Sequence, residues 1–97
     1  MVRATRWTAS ATPTHGLGDF GAAISYHRKA IYVWRDLGDR YEEATALVHL
    51  GDAQLAADDS AAAAAAWRLA ADMYDQLGQP EAGPTREKLQ HLHDAPR

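Results

Sequence analysis

Apolar residues recur along most of this chain at spacings of three and four. Phe20, Ala23, Ile24, His27, Ala30, Ile31, Trp34 and Leu37 fall at offsets of 0, 3, 4, 7, 10, 11, 14 and 17, one helical stripe with a single polar member. Ala63, Ala64, Trp67, Ala70, Ala71, Tyr74 and Leu77 draw the same stripe further on. Ala44, Leu47, Val48, Gly51 and Leu55 draw a shorter one between them. No stretch alternates with period two over a useful length, so no strand is expected.

Punctuation separates the stripes. In Leu37-Gly38-Asp39 the glycine can take the left-handed conformation that ends a helix. Asp39 can then cap the next helix, with Glu42 completing a capping-box-like pair. Asp58-Asp59-Ser60 supplies N-cap residues, and in Gly78-Gln79-Pro80 the proline cannot continue a helix. The pattern predicts an all-α protein with helices over about 19–37, 40–57, 59–77 and 82–94. Residues 1–18 hold Thr, Ser, Pro and Gly with weak periodicity, and Pro13 would interrupt a helix there. The expectation is a poorly ordered or partly helical segment over 1–16, then one helical domain over 17–97.

The stripes also repeat. Leu37-Gly38 returns as Leu77-Gly78, an offset of 40, and at that offset Asp19 matches Asp59, Ala22 and Ala23 match Ala62 and Ala63, Arg28 matches Arg68, and Ala30 matches Ala70. Repetition at 20–50 residues marks a solenoid of stacked units that share a core.

Composition narrows the function. The chain has 97 residues, room for one small domain, and much of its 46% hydrophobic content is alanine, which buries little surface. A thin core follows. The net charge of −3 and the scattered cations Arg3, Arg6, Arg35 and Arg40 give no basic face for nucleic acid. With no cysteine there are no disulfides and no thiolate metal site. No apolar run reaches the roughly 18 residues of a membrane span, nor does the start read as a signal peptide. A cytoplasmic protein is expected.

The pattern resembles the tetratricopeptide repeat. Leu50-Gly51, then Ala63, Trp67 and Ala70, carry that family's spacing of small and bulky residues. Ala23, His27 and Ala30 echo its second half one unit earlier, and Trp7 stands where a preceding helix would carry its tryptophan. The likeness covers residues 17–93. The period of 40 exceeds the family's usual length, and Leu-Gly-Asp is similar to a long-period variant in bacterial multidomain regulators and signalling ATPases. Gln54 stands where an aromatic is common and Asp58 where glycine is common. Gln90-His91 replaces the Leu-Gly of a further unit, so the last helix reads as a cap.

The resemblance implies a short α-solenoid that binds another protein or peptide in a concave groove, in a bacterial regulatory protein or a piece of one. The groove side of the second helix would carry Thr45, Val48, Asp52 and Leu55 with His49 beside them, and the last helix would add Thr85, Lys88 and Leu92. Some members clamp a C-terminal carboxylate with Lys and Asn. Val48 and Asp52 stand in the corresponding places, which rules out that clamp and favours an amphipathic helix as partner. Two units are fewer than a solenoid usually needs, so homodimerisation through exposed end faces is a second expectation. A self-associating structural protein with no partner groove is the alternative.

Enzymatic and cofactor readings find little support. His91 and His93 point apart on a helix, and His27 and His49 sit on different helices. Glu42 and Glu43 suit a helix N-terminus without catalysis. Gly16, Gly18 and Gly21 lack the preceding strand that a dinucleotide site needs. Tyr26, Tyr32, Trp34, Trp67 and Tyr74 read as packing residues. No catalytic residue, cofactor or metal is expected.

Overall fold

The computed structural model describes residues 17–94, with side chains over 20–92. Four helices make it up: α1 (Leu17–Leu37), α2 (Arg40–Ala56), α3 (Ser60–Gln76) and α4 (Ala82–Asp94). Each packs on the next in chain order, α1 on α2, α2 on α3 and α3 on α4. Among the described residues there is no strand, and no helix is long and apolar enough to cross a membrane. The expectation for residues 1–16 falls outside the described residues.

One turn geometry closes three helices. Gly38 N–H donates to Arg35 O at 3.0 Å and Asp39 N–H to Trp34 O at 2.9 Å. Gly78 and Gln79 repeat the pair on Asp75 O and Tyr74 O, and Asp58 and Asp59 repeat it on Leu55 O and Gln54 O. These paired bonds satisfy the last carbonyls of each helix and need a residue at positive φ. Gly38 (φ 75), Gly78 (φ 68) and Asp58 (φ 67) provide it.

Side-chain caps then start the next helices. Asp39 accepts from Glu42 N–H and Asp59 from Ala62 N–H, both at 3.1 Å. The expected capping box at Asp39 is corrected in one half. Asp39 N–H is already bonded to Trp34 O, which leaves Glu42 no backbone donor to reach back for. In α4 Pro84 lies in the first turn, where its missing N–H costs no intrahelical bond.

The core is thin and centred on α3. Ala63, Ala66, Trp67, Ala70, Ala71, Met73 and Tyr74 are buried there, facing Ala44, Ala46, Leu47 and Leu50 of α2, Ile31 of α1 and Ala82 of α4. Burying Trp67 and Tyr74 contributes on the order of 2–3 kcal/mol each. The run from Ala61 to Ala66 gives α3 a low surface that a neighbouring backbone can approach, with Ala63 and Ala66 buried and Ala61 and Ala65 exposed. Two stripe members depart from expectation. Leu37, the last residue of α1, is 69% exposed, and Leu55, in the last turn of α2, is 40% exposed.

Candidate partner-binding groove

One side of α2 forms the floor of two joined recesses. Toward α4, Tyr41, Thr45, Val48 and His49 line an open groove of about 270 Å³ with Tyr74, Glu81, Pro84, Thr85 and Lys88. Toward α1, His49 and Asp52 line a recess of about 360 Å³ with Phe20, Ala23, His27, Ala53 and Ala56. His49 belongs to both. Along α2 the floor positions 41, 45, 48, 49, 52 and 56 fall on a single face at helical spacing.

Packing beneath holds the floor in place. Trp67 donates its indole N–H to Val48 O at 3.2 Å, which fixes the backbone under the groove. Thr45 Oγ1 lies 2.7 Å from Tyr74 Oη and also donates to Tyr41 O at 3.1 Å. The Thr45 hydroxyl has one proton, so Tyr74 is the donor of the first bond when Tyr41 O takes that proton.

The rim is charged. Lys88 Nζ meets Asp52 Oδ1 at 2.9 Å and stands 5.3 Å over the Trp67 ring. This pair bridges α2 and α4 across the groove mouth. At the opposite end Tyr41 Oη donates to Glu81 Oε2. That bond, more than burial or the carboxylate's charge, pushes the Tyr41 phenol up to about 12. Glu81 Oε1 has no hydrogen-bond partner among the described residues. Burial raises the Tyr74 phenol, and the Thr45 hydrogen bond partly offsets it.

The expected groove residues divide. Thr45, Val48, His49, Asp52 and Lys88 come together in the two recesses, while Thr85 is buried at 3% exposure and forms part of the wall. Leu55 and Leu92 line neither recess. Val48 is half-buried and packs on the core, so only part of its side chain faces the groove. Tyr41 and Pro84 were not legible as groove residues. Tyr41 does stand four before Thr45 on the same face, a spacing that pointed to it.

Small and bulky residues meet between α2 and α3. Gly51 is buried against the Trp67 ring, and Ala63 and Ala70 are fully buried on either side of that tryptophan. Ala23 and Ala30 of α1 are half-buried.

The histidines of α1 and α2 meet although their helices differ. The His27 and His49 rings lie 5.7 Å apart, and Tyr26 packs edge-on to His27 at 5.5 Å. Burial and then the neighbouring His49 hold the His27 imidazole below its ordinary range, while Asp52 acts in the opposite direction. No group of three or more metal-ligating side chains forms among the described residues. Glu43 is buried at 8% exposure and accepts from Arg35 at 2.9 Å, a tertiary role beyond the helix N-terminus.

Among known proteins, no family model, no curated sequence and no solved structure matches this chain.

Proposed function

We infer that this chain is a protein–protein interaction module that seats an amphipathic helix of another protein in the groove along α2. The observation that carries this reading is the groove itself. Val48 and Pro84 offer apolar contact in its middle, and Tyr41, His49, Glu81 and Lys88 offer polar contact at its edges. An amphipathic helix presents apolar residues along one face and polar residues on either side, and it fits such a groove by its i, i+3, i+4 and i+7 positions. Residues 41, 45, 48, 49 and 52 repeat at the same spacing, so contacts can recur turn by turn. The Asp52–Lys88 pair occupies the ammonium that would otherwise attract a terminal carboxylate, which favours a helix interior over a chain end. The tetratricopeptide likeness suggests the repeat arrays of bacterial regulators as the context, and a cytoplasmic location goes with it.

The test is selection of binders from a displayed library of amphipathic helical peptides. Peptides enriched on the wild type are expected to lose binding to Val48→Glu and His49→Glu and to keep it with Leu69→Glu, an exposed position on α3. Circular dichroism checks that each variant stays helical. His49 is exposed, so its variant tests the surface even where Val48→Glu disturbs the core. Equal binding to all three variants would place the function elsewhere and favour the self-associating structural protein.

A further inference from the structure

The seam between α1 and α2 is the least anchored part of the core. Among the described residues α1 buries Ile31 alone, although it is the longest of the four helices. Small domains with thin cores commonly draw on a further staple, and a bound metal is one such device.

Two imidazoles face each other across that seam. The His27 and His49 ring centres lie 5.7 Å apart, one ring from each helix. Both side chains line the recess of about 360 Å³ toward α1, and Asp52, one turn on from His49, lines it with them. His49 is exposed and His27 half-buried, so solvent reaches both. No protein group among the described residues hydrogen-bonds to either ring. A metal binds imidazole in its neutral form, and burial followed by the nearby His49 favours that form at His27.

We propose that His27 and His49 together bind one divalent ion of the zinc and nickel class, which staples α1 to α2. Imidazole suits these ions, whereas magnesium and calcium take oxygen ligands. Two imidazoles on one tetrahedral zinc, at about 2.0–2.1 Å per bond, set their ring centres roughly 5 Å apart. A small rotation of the exposed His49 side chain covers the difference. Water fills the remaining positions, for which the open recess has room. The Asp52 carboxylate, shared with Lys88, adds negative charge beside the ion.

Thermal melts of the full chain, stripped with a chelator and then given zinc chloride, test the proposal. Saturating zinc should raise the midpoint by several degrees, since a ligand of the folded state stabilises it. Magnesium chloride should not. His27→Gln and His49→Gln should each abolish the zinc shift, and His91→Gln, on α4, should keep it. The metal-free melt of each variant shows that it folds, and exposed His49 can be changed without touching the core. In proton spectra the His27 and His49 ring signals should respond together and saturate at one zinc per chain. An unmoved midpoint would overturn the proposal. So would a zinc shift that survives His49→Gln, or one that magnesium reproduces. Light scattering that shows zinc joining two chains would equally overturn it, because the ligands would then come from different copies.

Discussion

Gly51 of α2 and Trp67 of α3 touch so closely that a β-carbon on the glycine would lie only 2.4 Å from the indole nitrogen, well inside contact distance. The contact brings two helices to a separation that only a bare backbone permits. It also places the Trp67 N–H on Val48 O, under the floor of the groove.

Gly51→Ala is therefore expected to destabilise the protein. Alanine gains about 1 kcal/mol of helix propensity over glycine. Forcing the methyl group against a buried indole costs about 1–3 kcal/mol, and the tryptophan cannot swing away without giving up its hydrogen bond. Urea denaturation should show a net loss, and Trp67→Phe should recover part of it by vacating the space occupied by the indole nitrogen. A Gly51→Ala variant more stable than the wild type would show that α2 and α3 separate easily.

Asp58 and Asp59 are neighbours with opposite expected responses. Asp58 sits at φ 67 to end α2, and Asp59 caps α3 through Ala62 N–H. Asp58→Gly relieves a left-handed backbone and should stabilise by about 0.5–1 kcal/mol. Asp59→Ala removes a cap and should destabilise by about 1 kcal/mol. Thermal melts of the two variants should move in opposite directions.

These turns explain why the helices are legible in the sequence. Gly38, Gly78 and the aspartates beside them act through bonds a few residues long, so local sequence carries them, and the predicted helix bounds agree with the observed ones within two residues. Side-chain pairing across helices is not local. Lys88 and Asp52 are 36 residues apart, and nothing in either neighbourhood marks the other as its partner. Tyr41 and Glu81 are 40 apart, one repeat, but the repeat matches no residue type between them. Leu55 shares the stripe of Leu47 and Val48 and is still 40% exposed, because periodicity gives the face of a helix and not what packs across from each position on it.

The His27 environment makes stability depend on pH in a fixed direction. Burial and His49 depress its folded pKa below the ordinary 6.5. As pH falls through that value the unfolded chain takes up the proton first, so the unfolded state gains and stability falls. Stability from this group is complete above its unfolded pKa and declines below it. Urea midpoints should be lower at about pH 5.5 than at about pH 7.5. His27→Gln should flatten the dependence, and an unchanged slope in that variant would assign it to another group.

Gln54 tests whether the core has surrendered stability at one position. It is 5% exposed in α2, and its Oε1 has no hydrogen-bond partner among the described residues. An unpaired buried carbonyl costs about 1–3 kcal/mol. Methionine has nearly the same length and flexibility and no carbonyl to satisfy, so Gln54→Met should stabilise by about 1 kcal/mol. Gln54→Ala removes the same carbonyl but leaves a cavity, and that loss of packing should offset the gain. Comparing the two in urea separates polarity from volume. A methionine variant less stable than the wild type would mean that ordered water satisfies Oε1, since a buried water with several polar partners is costly to displace.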